Sequence, residues 1–318
     1  MQSHPFIGVD ISQATLDIAA GESAQVLQLA HTEQAIRQWL RTLPEGCRIG
    51  VESTGTMHRL LVRSAIAAGH LVYVLNARDL SHYARSLGRR AKTDRLDARL
   101  IARYLANEHT HLHPYRLPSK VQARLDELVR RRHQIVVAQG ALRQSLSAVA
   151  KGLKTYPKMM RGLDALLEEI DQQLAALIAK DEQLAPIAQR LRTVVGFGPL
   201  LSTTMAHALT RHPFKHADAF IAYVGYDPRA RDSGQKRGRR YLSKRGPAEM
   251  RRLLFTAAMS ASKTKLWRAF YQRHRERGLP TTAALVILAR KLARIAFSMV
   301  KHGTCFDPAR IETACARP

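Results

Sequence analysis

The chain has 318 residues, enough for two or three domains with ample core. Its 51 Lys and Arg against 25 Asp and Glu give a formal charge of +26, and its three cysteines, Cys47, Cys305 and Cys315, lie far apart. This composition argues against a disulfide framework or a structural zinc site. With no apolar run of membrane-spanning length and no leader-like start, it predicts a cytoplasmic protein with no membrane partner.

In chain order, residues 6–9, 14–20 and 25–29 predict three strands. Residues 33–43 predict a helix with Ile36, Trp39, Leu40 and Leu43 on one face. A strand at 48–52, a helix at 57–68 ended by Gly69 and a strand at 71–75 follow, which together predict a mixed α/β sheet with helices packed on it. Residues 80–105 read as basic and helical, and 109–119, with Pro114 and Pro118, as a linker. Two heptad stretches, 121–153 and 163–191, alternate apolar steps of four and three around a turn at Lys154-Thr155-Tyr156-Pro157. They predict an antiparallel coiled-coil hairpin, packed within one chain or used for dimerisation, with Arg132, Gln139 and Asp181 as polar seam positions. Residues 193–318 predict an all-α domain with helices at 247–262, 266–277 and 281–302. Val194-Val195-Gly196-Phe197-Gly198-Pro199 looks like the turn of a helix-hairpin-helix, whose backbone amides at Gly196 and Gly198 would meet nucleic-acid phosphates.

The charge is uneven. Residues 1–80 hold six basic and seven acidic residues, a balance of −1, and the remainder carries +27. A near-neutral module joined to strongly basic ones points to a nucleic-acid partner. Within the first module, Asp10 ends the apolar run Phe6-Ile7-Gly8-Val9-Asp10 and Glu52 ends Ile49-Gly50-Val51-Glu52. Strand ends of this kind carry ligand chemistry in mixed sheets. Asp94 and Asp97 stand three apart at the start of a helical pattern, so both can face one side. Four converging carboxylates suit a divalent-metal site, Mg²⁺ or Mn²⁺, acting on a phosphodiester. Taken singly, each also reads as a turn, cap or surface-pair residue.

Arg89, Arg90 and Lys92 precede the Asp94/Asp97 pair. A denser run holds Arg229, Arg231, Lys236, Arg237, Arg239, Arg240, Lys244 and Arg245, where glycines let backbone approach phosphate and Arg forks hold its oxygens. Ser233 lies inside it. From the residues alone it is a turn former or a nucleophile at phosphorus, and Ser243 is its rival. His109, His111 and His113 alternate, but in a proline-bounded linker.

Together these segments resemble the DEDD transposases of the insertion-sequence-110 family, the bridge-RNA-guided recombinases. The likeness rests on Ile7-Gly8-Val9-Asp10-Ile11, Val51-Glu52-Ser53-Thr54-Gly55, Lys92 to Arg99, Val195 to Pro199, Tyr223-Val224-Gly225-Tyr226-Asp227-Pro228 leading to Ser233-Gly234, and Ser243 to Gly246. It spans nearly the whole chain in the family's order. It implies a RuvC-like domain of RNase H fold at 1–112, a coiled-coil hairpin at 113–190 and a helical transposase domain at 191–318. It implies that Asp10, Glu52, Asp94 and Asp97 are the metal ligands and Ser233 the nucleophile. It further implies double-stranded donor and target DNA, a structured non-coding guide RNA, a covalent phosphoserine intermediate, and dimers assembling to a tetramer with composite sites. Phe197 stands where many relatives carry Ile, and Asp232 stands where Glu is also expected.

Two other readings stand beside it. A metal-dependent resolvase-like nuclease would use the same carboxylates with water as nucleophile, and a non-enzymatic scaffold would use none. A proofreading exonuclease fits poorly, since the first strand reads Asp10-Ile11-Ser12 rather than Asp-x-Glu.

Overall fold

Strand β1, Phe6–Ile11, lies at the centre of a five-stranded sheet of order β3-β2-β1-β4-β5. β2, Thr15–Ala20, and β3, Leu27–Ala30, extend it as an antiparallel meander on one side. β4, Arg48–Glu52, and β5, Leu71–Leu75, extend it in parallel on the other. This mixed sheet is consistent with a RuvC-like domain. In the computed structural model, residues 5–21, 25–53, 55–88, 98–229, 238 and 240–309 are described, and the chain forms two compact units, Met1–Leu117 and Pro118–Pro318.

In the first unit, alternation along the strands decides which face is greasy. Ile7, Val9, Ile49, Val51 and Val72 turn to one face and are buried against helices α1, Glu33–Leu40, and α2, His58–Ala67. Thr32 caps α1 by accepting from the Ala35 amide at 3.3 Å. The other face carries Gly8, Gly50, Tyr73 and Leu75. It is covered by α4, Ala98–Glu108, while α3, Ala77–Ser86, contributes Leu80 to that core. The helical pattern expected over 80–105 is thus two helices. The first stops before Gly88, whose φ of +71° ends a helix cheaply.

The second unit is helical. α5, Lys120–Ser145, opens with a reciprocal capping box between Ser119 and Gln122. It pairs with α6, Tyr156–Ala179, in one antiparallel hairpin. Two expected polar seam residues find partners inside the chain. Arg132 forks onto Asp171 at 2.6 and 2.8 Å, and Gln139 donates to Asp164 at 2.6 Å. The third, Asp181, has a different role, which corrects the heptad reading. The expected single helix over 163–191 breaks after Ala179, and Asp181 accepts from the amides of Gln183 and Leu184 to start α7, Leu184–Arg192.

Leu125, Leu128, Ile170 and Leu174 of the hairpin share one core with the later helices. These are α8, Pro199–Arg211; α9, Ala217–Val224; α10, Ala248–Ala261; α11, Lys265–Glu276; and α12, Thr281–His302. Between α9 and α10 a two-residue hairpin pairs β6, Pro228–Arg229, with β7, Tyr241–Leu242. Among the described residues, no helix is long and apolar enough to cross a membrane.

Candidate active site

The register of the sheet builds the site. Val9 pairs with Val51 across the parallel β1–β4 ladder, so one residue on Asp10 and Glu52 stand level on adjacent strands. In the antiparallel ladder Asp10 is directly opposite Asp17. Residues opposite one another point to the same face, so Asp17, Asp10 and Glu52 form an acidic row across three strands. Asp17 is tied down by Gln28, which donates to it at 2.9 Å. The sequence reading missed Asp17. Its only local signal is that it points opposite to its apolar neighbours Leu16 and Ile18.

Glu52 is partly buried, and its carboxyl is pushed above the ordinary range, first by burial and then by the charge of Asp10. Such a pair of like charges in low dielectric accepts a hard cation readily. Among the described residues, no group of three or more His, Cys, Asp and Glu is gathered tightly enough to hold a metal. Asp10 and Glu52 therefore fit half of a ligand set.

Helix α4 sits on the same face. A methyl on Gly8 would meet Ala98 O at 2.0 Å and Ala102 N at 2.4 Å, so the first turns of α4 lie directly on β1. At the other end of the helix, His109 meets Phe6, ring centroids 4.7 Å apart. α4 thus runs antiparallel to β1, with its N-terminus towards the Asp10 end. Asp97 is the residue before Ala98 in the sequence. Asp94 and Asp97 themselves, with Arg89, Arg90 and Lys92, lie outside the described residues.

In the second unit, the β6–β7 pair is the neck of the segment that contains Ser233 in sequence. Ser233, Arg231, Lys236, Arg237 and Arg239 lie outside the described residues. Arg229 and the exposed Arg240 flank the neck, and Lys244 and Arg245 follow it, also exposed. The rival serine has a structural task. Ser243 is buried, its hydroxyl is held by the Asp227 carboxylate, and its amide donates to Asp227 O at 2.9 Å. Arg251 closes the same corner by donating to Val224 O at 3.1 Å and Gly246 O at 2.5 Å. Neither Asp227 nor Arg251 was assigned a task by sequence reasoning, because their partners, the Ser243 hydroxyl and the carbonyls of Val224 and Gly246, are brought to them only by the fold.

The Gly-x-Gly turn connects α7 to α8, as expected. Its two glycines differ. Gly196 has φ +101°, and a methyl there would lie 2.7 Å from Ala257 O, so its close approach is to α10. Gly198 has open space around it and precedes Pro199 at the start of α8, leaving that helix N-terminus accessible.

Comparison with known proteins finds two family matches along the chain. The DEDD_Tnp_IS110 family, described as Transposase, matches residues 7–155, and the Transposase IS116/IS110/IS902 family matches residues 188–272. The chain is 26% identical to the pilin gene-inverting protein of Moraxella bovis, over 96% of this chain and 98% of that one. It is 27% identical to the transposase for insertion sequence element IS1328 of Yersinia enterocolitica, over 96% and 100%. A third similar protein is the transposase for IS1111A of Coxiella burnetii, 25% identical over 94% and 90%. With both families matched in order along one chain, the protein belongs to the IS110 family of transposases, enzymes of DNA transposition and recombination.

Proposed function

We propose that this transposase cuts and rejoins donor and target DNA through a covalent phosphoserine, with Ser233 as nucleophile and Asp10, Glu52, Asp94 and Asp97 holding divalent metal, Mg²⁺ or Mn²⁺. The observation that carries this reading is the level pair Asp10 and Glu52 with the N-terminus of α4 brought to the same end of the sheet. A carboxylate at position 97, one residue before that helix, would complete the ligand set with Asp94.

A divalent metal held by Asp10, Glu52, Asp94 and Asp97 would supply positive charge to offset that developing on the attacked phosphate and would favour loss of the serine proton. Ser233 Oγ then attacks phosphorus, the Ser–O–P bond forms, and the displaced sugar oxygen takes up a proton. Attack of another strand's hydroxyl on the phosphoserine reverses these changes and releases the serine, so no external energy source is needed. Arg229, Arg231, Lys236, Arg237, Arg239, Arg240, Lys244 and Arg245 hold the phosphates either side, together with Arg89, Arg90, Lys92 and the turn at Gly196 and Gly198. Sequence choice rests with base pairing to a structured guide RNA, and the protein reads backbone and shape. The working particle is a tetramer built from dimers, each site drawing carboxylates and serine from different copies. We further propose the three-part division 1–112, 113–190 and 191–318, and action in the bacterial cytoplasm.

The test mixes the full chain, its element's non-coding RNA, Mg²⁺ and labelled donor and target DNA, and resolves the products under denaturing conditions. A DNA-linked protein band that disappears in Ser233→Ala is the expected result. Cleaved DNA with no protein adduct would overturn the serine and leave a hydrolytic nuclease.

A further inference from the structure

The ends of α10 and α12 and one face of α11 enclose a cleft of about 420 Å³ that plays no part in the chemistry above. Met259 and Lys263 border it from the end of α10, Arg268, Tyr271 and Gln272 from α11, and Leu285 from α12. The three α11 residues are spaced i, i+3, i+4, so they share a face. The neighbouring Trp267 is fully buried, and Phe270 packs against the same core.

Three features of this cleft are chemical rather than architectural. No acidic side chain lines it. By contrast, the larger cleft between α1 and α2 has Glu33 and Glu45 among its arginines. Among the described residues, the Lys263 ammonium, the Tyr271 hydroxyl and the Gln272 amide have no protein partner, and Arg268 spends one N–H on Lys263 O at 3.0 Å. The Tyr271 ring likewise stacks on no other ring there. Finally, basic residues continue along the sequence at Arg273, Arg275 and Arg277, with one acidic residue, Glu276, among them.

An apolar wall with an open aromatic ring, an amide able to donate and accept, and cations at the mouth match one ligand chemistry. That ligand is a planar heterocycle with hydrogen-bonding edges, carried between phosphates. We propose that the α10–α11–α12 cleft takes one unstacked nucleobase of a single-stranded segment, with Tyr271 against its face, Gln272 at its edge, and Lys263 and Arg268 on the flanking phosphates. Stacking on tyrosine is tolerant of base identity, so the site would grip a strand without reading it. The inference rests on the nucleic-acid-handling reading of this transposase but needs neither Ser233 nor metal. The strand comes from opened DNA or from RNA, and the test separates the two.

The experiment uses the full chain without metal. Short single strands of DNA carrying 4-thiothymidine and of RNA carrying 4-thiouridine are irradiated with the protein, and the attachment sites are mapped by mass spectrometry. Attachment within residues 259–285 is expected, and the strand that gives it names the source. Tyr271→Ala should weaken affinity for that strand roughly tenfold, while Tyr271→Phe binds as wild type and duplex affinity is unchanged. Should Tyr271→Ala fail to fold, the attachment map of the unaltered protein decides, with exposed Arg268→Gln as the second variant, expected to bind that strand more weakly. Attachment only elsewhere with both strands, or undiminished single-strand affinity in a folded Tyr271→Ala protein, would overturn the proposal. A missing Ser233 adduct would leave this result standing, so the two readings fail separately.

Discussion

Gly8 sets the spacing between β1 and α4, and therefore the height at which the helix begins above Asp10. The atoms a methyl would strike are backbone, which no side-chain rotation relieves. Gly8→Ala is expected to cost about 1–3 kcal/mol of stability through overpacking. It should also depress strand transfer in protein that is still folded, measured by thermal denaturation beside a transfer assay. Glu52 gives a test of opposite sign. Burial, and then the charge of Asp10, raise its carboxyl in the fold, so folding favours protonation there, and that contribution is lost as pH rises through the folded value. Glu52→Gln, permanently neutral, is therefore expected to melt at or above the wild-type temperature in chelator at neutral pH. It should lose both strand transfer and any stabilisation by added Mg²⁺. A variant that keeps the Mg²⁺ shift would remove Glu52 from the ligand set.

Between elements, a polar contact links α5 to α10 in the second unit. Glu249 is buried, receives Arg252 at 2.6 and 2.7 Å, and lies 2.8 Å from His133 of α5. Burial alone would raise its carboxyl, but the hydrogen bonds and charge of Arg252, with His133, outweigh it and hold it below the usual range. Glu249 thus stabilises the fold above the unfolded carboxylate value, and loses that contribution as pH falls through the folded one. Arg252 is partly solvated, so Glu249→Gln should cost on the order of 2 kcal/mol at neutral pH. The gap to wild type should close in acid denaturation series below the carboxylate range. How far these elements could be read from sequence follows from how local their causes are. β4, β5 and α12 were legible because apolar runs and stops such as Gly303 are written in adjacent residues. The break at Asp181 was not, since a polar residue at a seam position and a helix cap look alike until the next helix changes direction. β6 and β7, two residues each, carry no periodicity at all. The positions of Asp10 and Glu52 at strand ends were readable, but their being level is a matter of register, and so is the place of Asp17 beside them.

For the whole chain, charge is uneven along the sequence. Residues 1–80 are near neutral and the basic excess lies beyond them. Affinity for nucleic acid should then come from many phosphate contacts that release counterions. Binding is expected to fall on the order of 10³-fold or more between 50 and 200 mM salt, with a linear log–log slope. Replacing Lys244 and Arg245 by Gln should lower that slope by about two, uniformly across sequences. A slope unchanged in the double variant would move the footprint elsewhere on the basic unit.

The central place of β1 in its sheet bears on how the chain is made. β2 and β3, the next strands in the sequence, lie on one side of β1, and β4 and β5, which follow them, lie on the other. At no stage must a late strand be inserted between two already paired. The acidic row can therefore assemble outward in chain order, from Asp10 to Asp17 and then Glu52. α4, which packs on Gly8, follows all five strands in the sequence. A growing chain can thus complete the sheet that carries Asp10, Asp17 and Glu52 before the second unit, Pro118–Pro318, has been made.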